Sequence, residues 1–269
     1  MERVRSADGT ELGYERRGSG PPLVLVGGAL GTRAAGDEYA EALSSRRSVI
    51  TYDRRGRGDS GDTPPYAVER EIEDLAAVID AAGGRAAVYG HSSGAALALE
   101  TARALGIGAV PRLALYEPPF IVDDTRPPLP AEAADHLDEL VAAGRRGDAV
   151  EYFLRSGPLV PTAAIEQARA SPTWSEHEAI AHTIAYDLRV MGGTMGGSPE
   201  PLERFAVVVA PTLVLTGGAS PAWQHAGADA IAATLPHAER RTLAGQAHRA
   251  DARVLAPVLL AFFDATRPA

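Results

Sequence analysis

Apolar residues fall into two alternating spacings over the first half of the chain. Short apolar runs at Pro22 to Val26, Ser48 to Tyr52, Ala86 to Tyr89 and Leu113 to Tyr116 are bounded by Pro, Gly or charged residues. They are too short for helices and apolar on both faces, which predicts buried parallel strands. Between them lie helical stretches near Ala34 to Leu43, from Val68 to Ala82, and from Ala95 onward. The second carries Ile72, Leu75, Val78 and Ile79 as one stripe and stops at Gly83-Gly84. Upstream, Met1 to Gly9 reads as a short strand and turn, and Leu12 to Arg16 as an edge strand.

The alternation breaks between about Pro118 and Ala210. Helical segments are predicted near Ala131 to Ala143, Ala149 to Ser156, Thr162 to Ala170 and Glu176 to Val190, with no strand among them. The sheet pattern then resumes with Thr212 to Thr216, a helix at Ala222 to Leu235, a short strand at Arg240 to Leu243 and a last helix at Arg253 to Asp264. Strand and helix in alternation predict an α/β fold, a doubly wound and mostly parallel sheet with an inserted helical cap. On this pattern residues 1–118 and 207–269 form the core and 119–206 the cap.

Composition narrows the function classes. The chain has 269 residues and a formal charge of −9, which disfavours nonspecific nucleic-acid binding. It has no cysteine, and all 26 basic residues counted as Lys or Arg are arginine, so thiolate and lysine Schiff-base chemistry are excluded. No apolar run reaches the roughly 20 residues that span a bilayer. The N-terminus lacks the apolar core of a secretion signal, and a cytoplasmic location away from membranes is the expectation.

Candidate chemistry centres on Gly90-His91-Ser92-Ser93-Gly94, a G-x-S-x-G run placed directly after a strand and directly before a helix. In that context the serine stands on a sharp, strained turn, and the glycines let strand and helix approach closely. Ser92 is the candidate nucleophile. A serine hydroxyl needs a base, and of the seven histidines His248 lies on a loop between the last strand and the last helix, able to reach Ser92 across the strand ends. His91 reads as a packing or positioning residue. His136, His177, His182, His225 and His237 fall on helices or helix ends and read as structural or solvated, and no pair has metal-ligand spacing.

These features resemble the α/β-hydrolase fold family over nearly the whole chain. The marks are the strand followed by Gly27-Gly28-Ala29-Leu30, the turn Tyr52-Asp53-Arg54-Arg55-Gly56-Arg57-Gly58-Asp59-Ser60, the Gly90 to Gly94 elbow and the late His248. The family implies the chain order nucleophile, acid, histidine, with an oxyanion hole of two backbone N–H groups. One belongs to Ser93 at the helix start; the other, by position, to Ala29, where the family often has a His-Gly pair just upstream and this chain has Gly27-Gly28. Asp53, Arg54, Arg55, Arg57 and Asp59 are expected to stabilise their own turn rather than touch substrate.

The acid departs from the common pattern. The family's usual position lies in Gly217 to Pro221, which holds no carboxylate. Ser220 supplies no charge, Asp229 should face away, and Asp251 suits a helix start. The candidate is Glu117, between a buried strand and Pro118-Pro119, with a structural role at the base of the cap as its alternative. Certain haloalkane dehalogenases and the zearalenone-type lactonases place the acid after this strand, and the elbow with Glu117 locally resembles the latter.

The resemblance implies a serine hydrolase that cleaves a small, apolar ester or lactone through an acyl-enzyme, using no metal and no organic cofactor. Serine at the elbow does not fit the alkyl-ester chemistry of epoxide hydrolases or dehalogenases. Two other readings stay open: non-hydrolytic or carbon–carbon bond chemistry on a ketone or polyketide-like substrate, and a catalytically silent small-molecule binder. Trp174, Tyr186, Met191 and Met195 are expected either to line the pocket or to fill the core of the cap.

Overall fold

The computed structural model describes residues 1–265. Strands β1 (Glu2–Arg5), β2 (Glu11–Arg17) and β3 (Pro22–Val26) precede α1 (Asp37–Leu43), and β4 (Ser48–Tyr52) precedes α2 (Val68–Ala81). Next come β5 (Ala87–His91), α3 (Ser93–Ala109) and β6 (Leu113–Tyr116). Five helices follow without an intervening strand: α4 (Ala133–Ala142), α5 (Arg146–Ser156), α6 (Thr162–Arg169), α7 (Thr173–Ala179) and α8 (Ile184–Met191). The chain then returns to the sheet with β7 (Thr212–Gly217), α9 (Ala222–Thr234), β8 (Ala238–Leu243) and α10 (Ala252–Asp264).

The eight strands form one sheet in the order β1-β2-β4-β3-β5-β6-β7-β8. Only the β1–β2 and β2–β4 pairings are antiparallel. From β4 to β8 the sheet is parallel, as predicted from the doubly apolar strands. The two-residue period of a strand sends alternate side chains to opposite faces. Val24 and Val26 join the core beneath α2, α3, α8 and α9, whereas Leu23 and Leu25 pack under α1 and α10.

Two local expectations differ from what is found. The strand read at Leu12 to Arg16 is internal, because the tight turn at Gly9, with φ near 90°, folds β1 back along β2 as the outer strand. The single helix expected at Glu176 to Val190 is broken near Ile180. There the Thr183 hydroxyl donates to the Ile180 carbonyl at 2.8 Å, competing with the helical ladder. The break turns α8 so that Val190 and Met191 reach the main core while Ile184 and Ala185 join a small cluster with Leu137, Val150, Ile165 and Trp174.

Because β3, β5, β6, β7 and β8 run parallel, the segments leaving their C-terminal ends gather on one edge of the sheet. Those segments are Gly27 to Gly31, Ser92, Glu117, Gly217 to Ser220 and Ala244 to Arg249. Every residue singled out as a site candidate belongs to one of them or to the first position of α3.

Candidate active site

Ser92 occupies the turn between β5 and α3 at φ 56°, ψ −128°. A non-glycine residue at positive φ is held only by its surroundings. Here the Ser92 N–H donates to the Tyr116 carbonyl at 2.9 Å, and the flanking glycines allow a very close approach. A Cβ on Gly90 would lie 2.5 Å from the Gly94 carbonyl oxygen, and one on Gly94 would lie 2.4 Å from that of Val26. The elbow therefore tolerates no side chain at either position.

Glu117 leaves the end of β6 at φ 49°, its own N–H donating to the Leu215 carbonyl at 2.9 Å. Its side chain is fully buried, and both carboxylate oxygens are engaged. Oε1 accepts from the Gly217 N–H at 2.7 Å and from the Ser220 hydroxyl; Oε2 meets His248 Nδ1 at 2.7 Å. Burial alone would raise this carboxyl, but the three donors, His248 foremost, hold it below the usual carboxylate range. Ser220, discounted in the sequence for lacking charge, is thus a hydrogen-bond donor to the carboxylate of the neighbouring strand. Asp229 instead pairs with Arg240 at the surface, and Asp251 caps α10 by accepting from the Arg253 N–H.

His248 has a side chain 44% exposed on the loop after β8. Since Nδ1 meets a carboxylate it carries the proton, which leaves Nε2 as the acceptor. The loop backbone is tied down on both sides: Tyr116 donates its hydroxyl to the Ala247 carbonyl at 2.6 Å, and the His91 ring reaches the His248 carbonyl at 2.7 Å. A carbonyl partner requires His91 to carry its proton on Nε2. Burial and the neighbouring His248 ring lower the His91 pKa to about 4, so it stays neutral. Its expected positioning role has a concrete target in the carbonyl of His248. No hydrogen bond joins Ser92 to His248 among the described residues; such contacts often tighten only with substrate bound.

Gly28, Ala29, Ser92, Ser93, Glu117 and His248 all line one cavity of about 570 Å³. Leu30, Phe153, Leu154, Met191, Met195 and Trp223 make its walls largely apolar. Trp174 and Tyr186 are elsewhere: Trp174 sits in the cluster of α4 to α8, and Tyr186 stacks on Tyr66 at 3.8 Å. His177 stands in the cavity wall, where burial lowers its pKa.

The arginines of the turn after β4 are buried and ion-paired, although Arg57 Nε itself has no hydrogen-bond partner among the described residues. Arg55 makes a fork onto Asp74, and Arg54 a fork onto Glu71. Asp53 accepts from the backbone of Arg33 and Asp59. These contacts match a turn-stabilising role. Sequence reasoning missed Asp187 of α8, which is completely buried in the cavity wall and accepts from Arg54, Arg57 and the Ser93 hydroxyl. The two arginines and that hydroxyl hold its carboxyl below the usual range although burial acts the other way. The available signal was a lone carboxylate inside the apolar stripe Ile184, Leu188 and Met191, opposite an arginine-rich turn.

Among the described residues no group of three or more His, Cys, Asp or Glu side chains could hold a metal ion. No helix among them is long and apolar enough to cross a membrane.

The whole fold is similar to that of an alpha/beta hydrolase from Sphaerobacter thermophilus, with 55% identity, a TM-score of 0.90, and coverage of 97% of this chain and 100% of that one. A non-heme haloperoxidase from Rhodococcus erythropolis is 31% identical over 189 residues, 65% of this chain and 68% of its own. The RutD protein of Azorhizobium caulinodans is 40% identical over 96 residues, 35% of this chain, and the match spans only about a third of its length, 36%. The family description "Alpha/beta hydrolase family" matches residues 16–261, which take in β3 to β8 with their flanking and inserted helices, and the chain belongs to that family.

Proposed function

We propose that this hydrolase cleaves a small apolar ester or lactone through an acyl-enzyme on Ser92. In this reading Ser92 Oγ attacks the carbonyl carbon as His248 Nε2 takes its proton. The tetrahedral oxyanion accepts from the Ala29 and Ser93 N–H groups, the latter favoured by the positive end of the α3 dipole. His248 then returns the proton to the leaving alcohol, and water repeats the sequence to release the acid. Residues 119–206 serve as a cap over the pocket, with 1–118 and 207–269 as the catalytic core.

The observation that carries the reading is the 2.7 Å contact between a buried Glu117 carboxylate and His248 Nδ1. It fixes the tautomer that presents a basic Nε2 to the cavity and stabilises the imidazolium formed during attack. A purely structural role at the base of the inserted helices would leave no reason for a carboxylate oxygen to face an exposed imidazole. The apolar walls suit an acyl or ring portion without charge.

The test is a screen of p-nitrophenyl esters against small and macrocyclic lactones, run beside Ser92→Ala. Turnover of one class, abolished by the substitution, is expected. Fluorophosphonate labelling of Ser92 without turnover of any ester or lactone would instead indicate non-hydrolytic chemistry on a ketone. Ligand-dependent melting with neither labelling nor turnover would indicate a binding protein.

A further inference from the structure

The peptide that joins Gly28 to Ala29 is held by its oxygen. Arg57 Nη1 donates to the Gly28 carbonyl at 2.7 Å and reaches the Gly31 carbonyl at 3.4 Å. This peptide is trans, so its N–H points opposite to its C=O. A guanidinium fixed on the oxygen therefore sets the direction of the Ala29 N–H, and by drawing charge towards the oxygen it strengthens that N–H as a donor. The two carbonyls gripped by Arg57 flank Leu30, whose φ of 57° needs an external constraint.

The Ser93 N–H is referred to the same point. Arg57 Nη2 donates to Asp187 Oδ2 at 2.7 Å, and Asp187 Oδ1 accepts from the Ser93 hydroxyl at 2.7 Å. Arg54, locked by its fork onto Glu71, supports Asp187 from a third side. Arg54, Arg57, Glu71 and Asp187 are each at most 2% exposed. Burying charge is expensive, and well-packed apolar residues often stabilise a core as well or better, so stability is a poor account of this cluster.

We propose that Arg57 and Asp187 are positioning residues that orient both oxyanion donors as one unit, Arg57 through the Gly28 carbonyl and Asp187 through the Ser93 hydroxyl. The inference rests on the reading of Ser92 as nucleophile and of the Ala29 and Ser93 amides as oxyanion donors. Because Asp187 comes from α8, the seating of the inserted helices is coupled to the geometry of the oxyanion hole. Neither residue touches substrate; both act through a peptide plane or a side-chain tether.

Arg57→Lys, Asp187→Asn and Ser93→Ala are to be compared with the wild type at equal concentrations of Ser92 titrated by fluorophosphonate. Turnover per labelled site should fall about 10- to 100-fold, the scale of a small misplacement, with KM nearly unchanged. Affinity for a boronic acid that forms a tetrahedral adduct on Ser92 should fall in parallel, while affinity for a non-hydrolysable ether analogue of the substrate stays the same. A role confined to folding would lower Tm and the labelled fraction but leave both per-site quantities alone, and that result overturns the proposal. Should Arg57→Lys fail to fold, Ser93→Ala, which removes a single oxygen, carries the same test. If the wild type neither labels nor turns over esters or lactones, the reading beneath the proposal falls and the proposal falls with it. If the wild type is active, Ser92→Ala is dead and these variants match wild type per site, the proposal alone fails.

Discussion

Ser92 and the loop from Gly28 to Gly31 rest on a buried lattice of four charged side chains, whereas His248 projects from a surface loop with nearly half its side chain in solvent. On the first side, direction is imposed from beneath, through the Gly28 carbonyl and the Ser93 hydroxyl. On the second, it comes from Glu117 at one ring nitrogen, and from Tyr116 and His91 on the loop carbonyls. On the mechanism proposed above, the contrast follows from the two tasks. Donors to an oxyanion act best when they need not reorganise during the reaction. A base that accepts a proton from one atom and delivers it to another needs room to shift, so its anchor should fix the tautomer without immobilising the ring.

The largest effect is expected where the exposed ring meets Glu117, the one charged group among its anchors. Glu117→Gln keeps the shape and can still hydrogen-bond, but it loses the charge that stabilises the imidazolium and can reverse the tautomer. We expect turnover to fall by up to about 10⁴-fold, with the far-ultraviolet spectrum unchanged and Tm lowered, because the buried charge also stabilises the fold. Rates near wild type in a folded variant would remove Glu117 from the catalytic set and return it to a structural role at the foot of the inserted helices.

The buried side should break in a different currency. Asp187→Ala removes the shared acceptor and leaves Arg57 without an anionic partner, while Arg54 keeps Glu71. Removing one partner of a buried ion pair costs about 3–5 kcal/mol. Urea denaturation checks this, and a loss below about 1 kcal/mol would show that water enters the site and screens the arginines. Together with Glu117→Gln, the result separates a side that fails chiefly in catalysis from one that fails in both catalysis and folding.

Much of this arrangement was legible in the chain. The strands were readable because parallel strands bury both faces, and the elbow because its glycines and flanking elements are adjacent in sequence. Glu117 was reached from the lack of a carboxylate after β7, from its place between a buried strand and two prolines, and from the resemblance to hydrolases with the acid after this strand. Its real support, the Ser220 hydroxyl and the Gly217 N–H, comes from that same carboxylate-free segment and depends on strand neighbours that sequence order hides. Asp187 was legible only in part. Its place inside an apolar helical stripe marks it as inward-facing, but its partners lie about 90 to 130 positions away and sequence order does not pair them with it. The break at Ile180, made by a threonine hydroxyl rather than by Pro or Gly, was hidden for a related reason.

His91 joins the two sides, being next to Ser92 in sequence and hydrogen-bonded to the backbone of His248. Its pKa falls from 6.5 to about 4 because it is buried beside His248, with Arg249 adding to the effect and Glu117 opposing it. With the folded value below the unfolded one, the unfolded chain takes the proton first as the solution is acidified. The stabilisation is therefore whole above pH 6.5, is lost progressively down to about pH 4, and declines no further below that. Full loss would amount to about 3 kcal/mol, less to the extent that the ring is reached by solvent. Glu117, whose pKa is depressed from the carboxylate range, contributes its own acid loss at lower pH, so the two windows are separable. His91→Gln keeps a donor for the His248 carbonyl and removes the titration. Its stability in urea should decline less steeply between pH 6.5 and 4 than that of the wild type, the remaining slope coming from groups such as His177 and His182, whose pKa values burial also lowers. An unchanged slope would mean that the His91 ring already protonates freely in the folded state and does not lock the base loop.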